Sequence, residues 1–155
     1  MNPFPEVLRS IRECFERSTS CLEEADSAFA PRPGMFTAAQ QVAHAAQAVE
    51  WFVEGAFRPE GFSIDFGAMD TRVRKVTSLA EARSWLARAF DRAAEAFGSR
   101  GLDELAAPLP PGPIMGGAPR SNVIAAISDH TAHHRGALTV YARLLDRVPA
   151  MPYGA

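Results

Sequence analysis

Apolar residues recur along this chain at intervals of three, four and seven, the signature of helices that bury one face. Phe4, Leu8, Ile11, Phe15, Leu22, Ala25 and Phe29 trace the first such face, and the run APRPG at 30–34 stops it. A second helix runs from about Thr37, read as its N-cap, through Phe57, with Pro59 and Gly61 beyond. A third opens on SLAE, where Ser78 and Glu81 have capping-box spacing. It places Leu79, Ala82, Leu86, Phe90, Ala93 and Phe97 on one side and closes at Gly98. The fourth begins near Ser121 and extends to about Arg147, ahead of Pro149. No stretch alternates with a period of two between turn signals, so no strand is expected.

Four helices, each about 30–40 Å long, have the proportions of a four-helix bundle, so the fold class is all-α and residues 1–155 form a single domain. The connections at about 58–77 and 98–120 are longer than hairpins require. Either could run the length of the bundle, so the pattern leaves the helix order open. Within the second, PLPPGPIMGGA at 108–118 holds only proline, glycine and apolar side chains. It reads as either a flap over a cavity mouth or a stiff connector.

Composition narrows the function classes. The chain is 47% apolar and 22% charged, ordinary globular values. A formal net charge of -2 gives no footprint for a polyanion, so nucleic acid is not an expected partner. No apolar run approaches a membrane span, and the N-terminal stretch is charged too early for a signal peptide, so a cytoplasmic protein without membrane attachment is expected. Cys14 and Cys21, seven apart on one helix face, read as two small buried hydrophobes; no C-x-x-C pair exists.

The candidate chemistry lies in DHTAHHRGALTVYARLL, residues 129–145, which holds three of the four histidines. On a helical projection Val123, Ile127, His130, His134, Leu138, Tyr141 and Leu145 fall within about 40° of His134. Asp129, Ala132, Gly136, Thr139 and Arg143 fall opposite. His130 and His134 therefore occupy the core-facing stripe, where unpaired imidazoles are costly. Their i, i+4 spacing puts both rings over one patch, which suits a shared metal ion as well as a pair of satisfied core histidines. His133 lies on the flank, four residues after Asp129, and reads as an outer residue that pairs with it.

A third ligand must come from another helix, and one histidine remains, His44. It belongs to a polar stripe of Thr37, Gln40, His44, Gln47 and Glu54, opposite Val42, Ala46, Val49 and Val53. That stripe could face water or line a polar cavity with Trp51 closing one end, and the pattern does not choose. Gln40, Gln47 and Trp51 are then candidate pocket walls. A site of two histidines with Glu50 or Glu54 is also compatible with the spacing. There is no H-E-x-x-H, no E-x-x-H and no G-x-S-x-G, so zincin, di-iron and nucleophile-elbow arrangements are absent. Tyr141, two turns beyond His134 on the same stripe, is a candidate proton donor or a packed aromatic with its hydroxyl satisfied. Arg135, turned off the core, is expected to make a salt bridge or hydrogen bond.

DHTAHHRGALTVYARLLDRVPAMPYG resembles the last helix and tail of DinB/YfiT-like proteins, in which H-x-x-x-H is followed by Arg and a small residue. QQVAHAAQAVEWF resembles the second helix, with its single histidine. The resemblance covers nearly the whole chain. It implies a four-helix bundle of the up-down-down-up variant, with 58–77 as the crossover. It implies a divalent metal ion, nickel or zinc, held by His44, His130 and His134, and it implies a homodimer. It further implies a small-molecule substrate and a low-molecular-weight thiol, in thiol-dependent transfer or isomerisation of a small electrophile. A hydrolase using metal-bound hydroxide and a non-catalytic metal- or small-molecule-binding bundle are the alternatives. Three neutral imidazoles would leave such an ion its full charge and an open position.

Overall fold

The computed structural model describes residues 2–153. Four long helices carry the fold: α1 (Phe4–Thr19), α2 (Ala38–Phe57), α4 (Leu79–Gly98) and α6 (Asn122–Leu144). Two short ones, α3 (Phe66–Arg74) and α5 (Leu102–Ala106), sit in the connections, and no strand forms among the described residues.

Side-chain contacts fix the helix directions. The start of α1 meets the end of α4, with the Phe4 and Phe97 rings 6.4 Å apart, and Arg83 near the start of α4 donates to the Thr19 carbonyl at the end of α1. These two are antiparallel. Phe57 and Phe97, ending α2 and α4, stack at 5.1 Å, so that pair is parallel. Gln41 at the start of α2 reaches Tyr141 near the end of α6, which makes α6 antiparallel to α2. The order is therefore up-down-down-up. Parallel α2 and α4 require a connection along the whole bundle, and 58–78, including α3, supplies it. Each long helix packs on two others, with α2 between α4 and α6 and α1 on the far side of both.

The first helix is shorter than its apolar pattern implies. It stops at Thr19, where successive hydroxyls compete with the helical ladder: Thr19 Oγ1 donates to the Phe15 carbonyl at 2.9 Å and Ser20 Oγ to that of Arg17 at 2.9 Å. A 3₁₀ turn at Glu24–Asp26 follows, with a reciprocal cap between Glu23 and Asp26. Leu22 still joins the core and Phe29 packs edge-on against Tyr141. The apolar spacing thus reported burial correctly and continuity wrongly. Cys21 accordingly lies outside α1, and both cysteines are free and only partly buried, so the shared buried face is not formed.

The other boundaries follow the capping chemistry. Thr37 and Gln40 close a full capping box, Gln40 N donating to Thr37 Oγ1 and Thr37 N to Gln40 Oε1. Ser78 accepts from Glu81 N at 3.1 Å, half of the expected box. Segment 108–118 is a connector and not a flap. Its ends pair, Leu109 N to the Ala118 carbonyl and Arg120 N to that of Ala107, and none of its residues lines the cavity beside the histidines. A Cβ on Gly55 would run into the Phe62 ring, so the missing side chain lets the crossover settle directly on α2.

Candidate metal centre

α2 and α6 bring His44, His130 and His134 together. One nitrogen or other ligating atom from each lies within 4.8 Å of the others, the sole such group of metal-ligating side chains among the described residues. Ring centroids are 4.6 Å apart for His130–His134, 4.7 Å for His44–His134 and 5.3 Å for His44–His130. His134 is buried, and the other two are partly buried. Of the α2 polar stripe, His44 packs against His130 and His134 of α6 and borders a cavity. Neither Glu50 nor Glu54 joins the cluster; Glu50 is held by Arg72 and Arg92.

A buried chain of hydrogen bonds sets the orientation of His134. The Tyr141 hydroxyl donates its one proton to the Phe36 carbonyl, at 2.9 Å. Its oxygen must then accept, which it does from Gln41 Nε2 at 3.3 Å. The Gln41 amide is thereby oriented with Oε1 towards His134 Nδ1, 2.7 Å away. A carbonyl oxygen accepts only, so His134 Nδ1 carries the proton and Nε2 presents its lone pair. That nitrogen lies 3.1 Å from His130 Nε2. Two ligand nitrogens about 2.05 Å from a tetrahedral ion would stand about 3.3 Å apart, so this spacing is close to what a shared ion requires. His44 Nδ1 is buried without a hydrogen-bond partner, an unmet polar group in the same cluster. Facing imidazole nitrogens, an orphaned third and a fixed tautomer fit a divalent cation.

Electrostatics agrees with that fit. Burial, reinforced by the neighbouring imidazoles, pushes His134 down to about 3 and His130 down to about 4. His44 is lowered as well, chiefly by burial. All three are neutral near pH 7, the form in which imidazole ligates.

His44 and His130 also line a cavity of 370 Å³. Trp51, Phe66 and Met69 give it an apolar wall, and Asp70, paired with Arg74 at 2.7 Å, is the one carboxylate in the lining. Gln47 donates to the Met69 carbonyl and Trp51 Nε1 to that of Ser63, so these two candidate wall residues also pin the crossover to α2. Gln40 is engaged elsewhere: its carbonyl caps Thr37 and its amide donates to Arg74 O, outside the cavity. Tyr141 is likewise outside it, its proton committed to Phe36, so its place is in the support of His134. His133 is exposed, packs edge-on against the His134 ring and makes no ion pair with Asp129 among the described residues. Arg135 donates to the Tyr153 hydroxyl at 3.4 Å. Gln41, Phe66, Met69 and Asp70 were not singled out from sequence. Only Gln41 left a trace there, as an amide inside the alanine-rich run AAQQVAHAA.

Residues 8–138, from the second turn of α1 to beyond His134, match the family model for the DinB superfamily. The chain belongs to the DinB superfamily. No curated protein matches it. For this DinB-superfamily chain the matched region contains all three clustered histidines and the whole α2–α4 crossover. No helix among the described residues is long and apolar enough to cross a membrane.

Proposed function

We propose that this protein holds one divalent metal ion on His44, His130 and His134, nickel or zinc, and uses it for thiol-dependent transfer or isomerisation on a small electrophile. The observation that carries the reading is the juxtaposition of a three-imidazole cluster with a largely apolar cavity that shares two of its histidines. An ion there would stabilise a thiolate at neutral pH. The chain's own groups do the rest. Gln41 and Tyr141 hold His134 with its Nε2 lone pair inward. Trp51, Phe66 and Met69 form an apolar wall that favours a compact substrate with little charge.

Elemental analysis tests the metal, expected at about one ion per chain. His44→Ala, His130→Ala and His134→Ala should each lose most of it, and His133→Ala should keep it. Full retention in His44→Ala would remove the proposed coordination. The reaction class is tested with a panel of small electrophiles, with and without low-molecular-weight thiols. Turnover is expected only with a thiol. Thiol-independent ester or amide cleavage would favour a hydrolase, and absence of turnover with any thiol would leave a binding bundle. The homodimer and the cytoplasmic location belong to the same proposal; sedimentation of the purified chain and fractionation of cells test them.

A further inference from the structure

α3 and α4 flank a second, open cavity, of 360 Å³, that does not touch the histidines. Helical spacing directs cations into it from both sides. Arg72 and Lys75 lie one turn apart at the end of α3, and Arg88 and Arg92 one turn apart on α4. Glu50 and Glu81 are the carboxylates in the same lining, so four positive charges face two negative ones, in a chain whose formal net charge is -2. Glu50, whose side chain is 13% exposed, spends its two oxygens on Arg72 at 3.1 Å and Arg92 at 3.4 Å. Lys75 and Arg88 take part in no ion pair among the described residues, and neither does Glu81.

Trp85 lies in the same lining, 7% exposed, with the Arg72 guanidinium 4.1 Å from the centre of its ring. Its Nε1 is buried without an acceptor. The cavity therefore combines an apolar aromatic surface with an excess of donors and positive charge. Like charges gathered by two helices destabilise each other unless an anion offsets them.

We propose that this cavity binds a small molecule bearing a phosphate group. The donors come from both α3 and α4, so an anion between them can be contacted from more than one side, which a tetrahedral phosphate uses more fully than a planar carboxylate. Arginine and lysine both serve as phosphate donors, arginine through paired N–H groups. Trp85, mostly buried beneath Arg72, adds the orphaned indole N–H as a further donor at the edge of the cavity. The site does not depend on the metal centre.

The chain has two tryptophans, one in each cavity, so their indole N–H resonances report the two places separately. Trp51→Phe assigns them. The full-length protein is titrated with glycerol 3-phosphate at constant ionic strength, and with citrate and sulfate in parallel. A saturable shift of the Trp85 resonance is expected, with that of Trp51 unmoved and with citrate weaker than the phosphate ester. Lys75→Gln with Arg88→Gln, both exposed positions, should weaken binding at least about tenfold while leaving the fold intact. Absence of a saturable Trp85 shift, unchanged affinity in the double variant, or citrate binding as tightly as the phosphate ester would each overturn the proposal.

Discussion

At the scale of single residues, the least conspicuous group in the site has the clearest consequence. Gln41 stands between Tyr141 and His134 and transmits the direction of one proton into the tautomer of a candidate ligand. Gln41→Leu keeps a side chain of comparable bulk and removes both hydrogen bonds. His134 can then protonate on either nitrogen and turn, so metal affinity should fall about 10- to 100-fold, as for other partners that orient a metal-bound histidine. Competition with a chromophoric chelator measures it. Affinity equal to that of the unaltered protein would mean that packing alone holds the ring. Tyr141→Phe should have a smaller effect, because Gln41 keeps its bond to His134. The two helical histidines were legible in the sequence because helix phase is a local property: once α6 exists, His130 and His134 must point together. His44 was not legible from pattern, because α2 is flanked by α3, α4 and α6 and its polar stripe meets protein. Gln41 and Tyr141 are 100 positions apart, and nothing local reports such a contact.

At the scale of elements, capping signals located helix starts better than apolar spacing located helix ends. Thr37 and Ser78 begin α2 and α4 as their side chains require. The end of α1 depends on hydroxyl groups at Thr19 and Ser20, which the continued run of apolar residues hides. α3 was missed because nine residues with an exposed Phe66 and a single buried Val73 show no apolar face of their own. It is placed by its neighbours, through Gln40, Gln47 and Glu50 of α2. Gly55 is the point where that placement is most sensitive. In an open helix interior Gly→Ala adds about 1 kcal/mol of stability. Here the new methyl meets the Phe62 ring, and overpacking costs about 1–3 kcal/mol. Gly55→Ala should therefore lower the midpoint of thermal unfolding, and adding Phe62→Ala should make the same methyl neutral or favourable. A higher midpoint for Gly55→Ala alone would show that Phe62 yields without cost. Because Phe62 stacks on Trp51 at 4.9 Å, the single variant should also perturb the Trp51 indole.

At the scale of the whole molecule, the three histidines tie stability to pH and to metal. Their ordinary value is 6.5, and in the folded chain His130 sits at about 4, His134 at about 3, and His44 below its ordinary value, mainly because burial disfavours the charged ring. As pH falls through 6.5 the unfolded chain takes up protons that the folded chain refuses, so unfolding becomes easier. The stabilisation is complete above about 6.5 and is lost progressively towards 4 and then 3. Carboxylates begin to contribute as pH approaches their reference range of about 4, so the window from 6.5 to 5 isolates the histidines. In metal-free protein the unfolding midpoint should be level between pH 8 and 7 and should fall steadily between 6.5 and 5. His134→Asn, which places a neutral amide where the buried ring stood, should flatten that fall. A bound ion adds stability through its preference for the folded chain, about 2.7 kcal/mol at a free concentration one hundred times its dissociation constant. Because the folded ligands are already neutral, proton competition should weaken metal binding only at lower pH than where freely exposed histidines release an ion. Thermal unfolding scans at half-unit pH intervals, with and without saturating zinc, measure both effects. A metal-free midpoint that stays level down to pH 5 would show that these imidazoles accept protons in place and that the cluster is open to water.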